Sequence, residues 1–159
     1  MLSKKTKYAI KALMVLGRNY GKDPIQIVKI AEEEQIPRKF LEQILLEMRN
    51  AGILYSKKGA GGGYNLNKAP EDIYLSQVIR LIEGPIALLP CVSLNFYRSC
   101  EECTEEHACG IRDTFIDVRN AMLNILNDTS VSDLIEKETK LFNDKRADLF
   151  DIDKGAPLE

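Results

Sequence analysis

QIPRKFLEQILLEMRNAGILYSKKGAGGGYNL, residues 35–66, carries two structural signals in succession. Pro37 has the fixed φ that opens a helix well. Behind it Leu41, Ile44, Leu45 and Met48 recur at helical spacing and predict one buried face. Gly52 stands where a left-handed C-cap belongs. The opposite face carries Arg38, Lys39, Glu42, Gln43 and Arg49. Next comes a hairpin pattern. Ile53-Leu54-Tyr55 begins one strand and Tyr64-Asn65-Leu66 belongs to the other, with two lysines and a glycine-rich tip between them.

Upstream, Lys4 to Tyr20 reads as a helix with Ala9, Ala12, Leu13, Leu16 and Tyr20 as its core stripe. Gly21, Asp23 and Pro24 end it. A short helix is expected from Ile27 to Glu34, with Ile27, Ile30 and Ala31 turned inward. The break at Gln35-Ile36-Pro37 joins it to the next helix as a helix-turn-helix. Downstream, Asp72 to Glu83 predicts a helix closed by Gly84-Pro85. Residues 86–109 read as a loop holding every cysteine. A long helix is expected from Gly110 to Asn127, where Ile111, Phe115, Val118, Met122 and Ile125 alternate four and three apart in a heptad-like seam. A short helix near Val131 to Lys140 and a loose tail after Asn143 complete the chain. The expected architecture is mainly α with a small β-hairpin wing: a winged helix-turn-helix over 1–84, a cysteine-bearing sensor loop over 85–109, a dimerisation helix region over 110–142 and a flexible tail over 143–159.

The formal net charge is −2, but it is unevenly distributed. Residues 1–60 hold 12 Lys/Arg against 6 Asp/Glu, and the remainder holds 10 against 18. A basic first part with an acidic remainder suggests a polyanion that faces the first part only, although solvated helix faces also cluster charge. No apolar run approaches the ~20 residues that span a bilayer. Lys11 and Arg18 interrupt the apolar stretch behind the basic N-terminus, so it does not read as a signal peptide. The expected compartment is the cytoplasm, where four cysteines are more often metal ligands or redox thiols than structural disulfides.

These residue types suit duplex DNA. Arg and Lys match guanine edges or phosphate, Gln can bracket adenine, and Glu can accept from the cytosine amino group. An ordinary solvated helix face offers the same residues, so the wing is the stronger signal. Lys57 and Lys58 can neutralise phosphates or enter the minor groove, while Gly61 and Gly62 let the backbone approach the duplex. A nucleotide-phosphate loop is the rival reading of the glycines. It lacks a following Gly-Lys-Ser/Thr, and Tyr64-Asn65-Leu66 continues as strand rather than helix.

Tyr8-Ala9-Ile10-Lys11-Ala12-Leu13, Phe40-Leu41-Glu42-Gln43-Ile44-Leu45 and Gly59-Ala60-Gly61-Gly62-Gly63-Tyr64 together resemble the Rrf-type transcription regulators, over roughly residues 1–140. That family includes an iron–sulfur cluster regulator, a nitric-oxide-sensing repressor and a cysteine-metabolism repressor. The resemblance implies a homodimeric winged helix on an operator, with the long C-terminal helix as dimer seam. It places Glu42 and Gln43 on the base-reading helix. Lys58 falls where the cluster regulator has an arginine, which keeps the charge and loses the planar fork.

Cys91, Cys100, Cys103 and Cys109 lie within one loop. The resemblance implies three cluster ligands there, the last two separated by five residues; Cys103 and Cys109 match that pair, and Cys91 the first. Where the cluster regulator has a histidine three residues after its last cysteine, this chain has Arg112, which cannot ligate. Cys100, or else His107, is the candidate fourth ligand. Three readings stay open: an iron–sulfur cluster, as 2Fe-2S or 4Fe-4S; zinc, for which only Cys100/Cys103 form a short knuckle; and metal-free thiols, inert or redox-active. Glu101, Glu102, Glu105 and Glu106 should disfavour reactive thiolates. A small metal or redox enzyme is the rival function. With one histidine and no Ser/His/Asp set, the expectation is a chain that is not an enzyme.

Overall fold

The computed structural model describes residues 2–152 apart from Thr104. Helices α1 (Lys4–Arg18), α2 (Ile27–Glu33) and α3 (Arg38–Asn50) precede an antiparallel pair, β1 (Leu54–Lys57) and β2 (Gly63–Leu66). Helices α4 (Leu75–Glu83), α5 (Gly110–Asp128) and α6 (Val131–Ile152) follow, with short 3-10 turns at Pro70–Asp72, Pro90–Val92 and Glu106–Ala108. This is a winged helix-turn-helix extended by two helices.

The periodic stripes form the core. Ala9, Ala12, Leu13 and Leu16 of α1 meet Leu41, Ile44, Leu45 and Met48 of α3, all eight fully buried. Burying one such large aliphatic side chain stabilises by about 1.5–3 kcal/mol, so the α1–α3 contact contributes much of the domain's cohesion. Gly52 has φ +74, as a left-handed C-cap requires, and its N–H donates to the Arg49 carbonyl at 3.0 Å. In register, Leu54 faces Leu66 and Lys57 faces Gly63. An isolated bridge between Ile25 and Tyr64 adds the segment ahead of α2 to the wing's base.

Several expectations need correction. Helix α1 stops at Arg18, two residues early, because Asn19 takes a non-helical conformation and Gly21 reverses the chain at φ +79. Tyr20 therefore leaves the helical register and is exposed rather than part of the core stripe. Helix α4 begins at Leu75 instead of Asp72. Pro70–Asp72 is a 3-10 turn, and Tyr74 bridges Ser130 across the fold. Helix α6 does not stop near Lys140 but runs to Ile152, so the expected loose tail starts inside a helix; residues 153–159 lie outside the described part.

The first turn of α6 returns to the N-terminal core. Val131 is fully buried, its N–H donates to the Ile73 carbonyl at 2.9 Å, and Ile135 packs against the same core. Gly17 of α1 allows this close approach, since a Cβ there would stand 2.8 Å from Ile135 Cδ1. The segment 110–142 is thus split in role: α5 stands off the core, and α6 begins within it.

Candidate nucleic-acid interface and cysteine loop

Arg38, Lys39, Glu42, Gln43 and Arg49 are all exposed on the face of α3 opposite its buried stripe. Arg38 Nε and Glu42 Oε1 pair at 3.3 Å one turn apart, which orients both side chains outward. Arg49 Nη1 reaches Ser56 Oγ of β1 at 3.5 Å and so links the helix to the wing. Arg38, Arg49, Lys57, Lys58 and Gly62 line one open groove of about 450 Å³. Gln43 instead borders a neighbouring depression with Leu46 and Asn50. Lys39, Glu42 and Gly61 are exposed but line neither hollow.

Sequence reasoning missed Gln26, Val28, Ser56 and Tyr64, which share the groove. The available signal was Val28, an apolar residue facing away from the Ile30–Ala31 side of its helix. Asn65 was missed too. It is buried, and its Nδ2 donates to the Lys22 carbonyl at 3.0 Å, pinning β2 to the loop after α1. The wing glycines have an internal role as well. A Cβ on Gly62 would collide with the Lys57 carbonyl, and one on Gly63 with the Ile25 carbonyl, so the tip folds tightly onto its own backbone.

The four cysteines separate. Cys91 is buried on the Pro90–Val92 turn, which Arg119 of α5 holds by donating from Nη1 to the Val92 carbonyl at 2.5 Å. Cys103 and Cys109 meet with sulfurs 3.9 Å apart. Cys103 N–H donates to the Cys100 carbonyl at 3.4 Å, and the neighbouring Cys100 and then Cys109 side chains push the Cys103 thiol up to about 12. Cys109 is the N-cap of α5, and its Sγ accepts from Arg112 N–H at 3.5 Å. That bond, helped by the Ile111 N–H and the Arg112 charge, holds the Cys109 thiol below its ordinary range. The acidic surroundings therefore fail to set this thiol's behaviour, because the helix N-terminus is nearer and opposes them.

Glu106 is held by two hydrogen bonds. Its carboxylate accepts from the Tyr97 hydroxyl and from Cys100 N–H, the latter at 2.9 Å; these bonds lower Glu106 and raise Tyr97 from their ordinary ranges. The His107 side chain is 85% exposed, and its Nε2 lies 3.5 Å from a Glu105 carboxylate oxygen. Thiolates by chemistry suit an iron–sulfur cluster. Yet among the described residues no three His, Cys, Asp or Glu side chains converge closely enough to hold a metal ion. As arranged, the loop does not fit a cluster on Cys91, Cys103 and Cys109.

The model of the Rrf2 family, described as an iron-dependent transcriptional regulator, matches residues 2–137. The chain belongs to the Rrf2 family. An rrf2-like HTH-type transcriptional regulator of Rhodobacter capsulatus is 41% identical over 138 residues, covering 85% of this chain and 92% of that one. CymR of Bacillus subtilis is 30% identical, over 84% of this chain and 88% of its own. Its solved structure, described as the global cysteine regulator, superposes with a TM-score of 0.73 over 86% of this chain and 97% of that one. IscR of Vibrio atlanticus is 26% identical over 93% and 82% of the two chains. As a member of this family the chain is a DNA-binding transcriptional regulator with a winged-helix fold, and its relatives are regulators rather than enzymes. Among the described residues no helix is long and apolar enough to cross a membrane.

Proposed function

We propose that the chain acts in the cytoplasm as a homodimeric repressor on a two-fold-symmetric operator, with the cysteine loop as its sensor. The observation that carries this reading is the shared groove: exposed Arg38 and Arg49 on α3 face Lys57 and Lys58 on the wing. Helix α3 enters a major groove, with Glu42 and Gln43 toward base edges, while the lysines and Gly61-Gly62 lie along the neighbouring backbone. The dimer reading is supported by α5. Ile111, Val118 and Ile125 are 65%, 36% and 67% exposed in the single chain, an apolar seam left for a partner. Two reading heads in such a dimer sit about 34 Å apart, one helical turn of DNA.

The loop acts through its thiols, since the paired sulfurs stand at the root of the seam helix. A second reading, in which the cysteines regroup around an iron–sulfur cluster, is favoured by the family's description as iron-dependent.

The deciding experiment selects duplexes from a random pool with the full chain and then measures affinity against salt. A palindromic site, a steep fall in affinity with salt and two chains per site are expected. Salt-independent binding, or none, overturns the regulator reading. Iron, sulfide and zinc analysis after anaerobic purification separates the two loop readings. A metal-free protein supports the thiols, and matched iron and sulfide supports the cluster.

A further inference from the structure

We propose that Lys22 and Lys29 form a second phosphate-binding site, which grips the DNA backbone beyond the stretch held between α3 and the wing. This rests on the reading of the α3–wing groove as the DNA face and extends that face to residues outside the groove.

The segment between α1 and α2 is fastened to the wing. Gly21 reverses the chain at φ +79, and Ile25 then pairs with Tyr64. Ile25 N–H donates to the Tyr64 carbonyl at 3.0 Å, and Tyr64 N–H to the Ile25 carbonyl at 2.9 Å. The buried Asn65 of β2 donates from Nδ2 to the Lys22 carbonyl at 3.0 Å. Asn19 Nδ2 donates to the Asp23 carbonyl at 2.7 Å and closes the segment on itself. The backbone that carries Lys22 is therefore tied to the strand that leaves the wing tip, and docking it on DNA costs little ordering entropy.

Beside this segment lies a hollow of about 370 Å³, lined in part by Lys22, Asp23, Gln26 and Lys29. Gln26 also lines the groove of Arg38, Arg49, Lys57 and Lys58, so the two hollows adjoin. Asp23 is the one acidic residue around the smaller hollow, which leaves two lysines against one carboxylate.

The state of the cations separates this pair from its neighbours. Lys5 pairs with Glu47, Lys11 with Glu34, and Arg18 with Glu33 and Glu138. Lys22 and Lys29 are exposed, and among the described residues neither has a carboxylate partner. A paired cation must give up its carboxylate to reach a phosphate. A free one displaces a condensed counterion without that cost. Contacts of this kind fix register and add affinity to every sequence alike.

The test uses the full chain and its selected operator, with single uncharged methylphosphonate links stepped along each strand. For the parent, each link that replaces a gripped phosphate weakens binding. Lys22→Ala/Lys29→Ala should reduce the slope of log affinity against log salt by about 2 per bound chain and leave base preference unchanged. It should also become indifferent to a set of links that still weaken Lys57→Ala/Lys58→Ala. Lys22→Arg/Lys29→Arg should behave as the parent. An unchanged slope, or the same links lost in both alanine variants, overturns the inference while the regulator reading stands. A parent that binds no duplex overturns both.

Discussion

The carboxylate of Glu83, the last residue of α4, accepts from the backbone N–H of Ser3 at 2.7 Å. It also accepts from the hydroxyl of the buried Thr6, so one acid fastens the start of α1 across about eighty residues. Hydrogen bonds from Ser3, then Thr6, lower Glu83 to about 2.

That lowering has a stability consequence with a definite sign. A carboxylate depressed on folding stabilises the fold above its unfolded pKa and loses that contribution as pH falls through its folded value. The window here runs from about 4.5 down to about 2. Glu83→Gln should lower the melting temperature near neutral pH, and the gap to the parent should close across that window. A gap that stays constant from pH 7 to pH 2 contradicts the clamp.

The two lysines of the wing should act without sequence preference. Lys57→Ala/Lys58→Ala should weaken binding to every duplex by a similar factor and reduce the slope of log affinity against log salt by about 2. Replacing Glu42 or Gln43 with Ala should instead alter which bases are preferred, by about 1–3 kcal/mol at the positions they read. Anisotropy titrations on the selected site and its single-base variants distinguish the two behaviours.

Within the wing, two glycines differ in kind. Gly63 has the Ile25 carbonyl where a Cβ would go, whereas Gly61 has open space and a left-handed φ of +76. Gly63→Ala should cost about 2–3 kcal/mol and disturb the Ile25–Tyr64 bridge. Gly61→Ala should cost about 1 kcal/mol, from backbone strain alone. Urea unfolding of the two variants checks the order.

The two ends of α6 should respond differently. Val131 is fully buried while Phe142 is 66% exposed. Val131→Ala should destabilise by about 1–3 kcal/mol, and Phe142→Ser by less than about 0.5 kcal/mol. Equal effects would mean that the helix does not begin inside the core.

Much of the site was legible from residues 35–66 because helix and hairpin are local structures with their own periods. The stripe Leu41, Ile44, Leu45, Met48 identifies the buried face of α3, and the opposite face then falls to Arg38, Lys39, Glu42, Gln43 and Arg49 by geometry. Gly52 as a left-handed cap was readable for the same reason. Tyr20 was misplaced because periodicity does not register that a helix has ended until a turn signal appears, and Asn19 ended it first.

Local pattern thus settles a winged helix-turn-helix with Arg38, Lys39 and Arg49 on the exposed face of α3, since period, capping and turn chemistry act over a few residues. Contacts made across the fold decide the rest. The burial of Val131 against α1, the clamp of Glu83 on Ser3, the seclusion of Cys91 and the pairing of Cys103 with Cys109 each join residues through space. Spacing along a chain carries no information on which of four thiols share a direction; packing of the loop against the start of α5 supplies it.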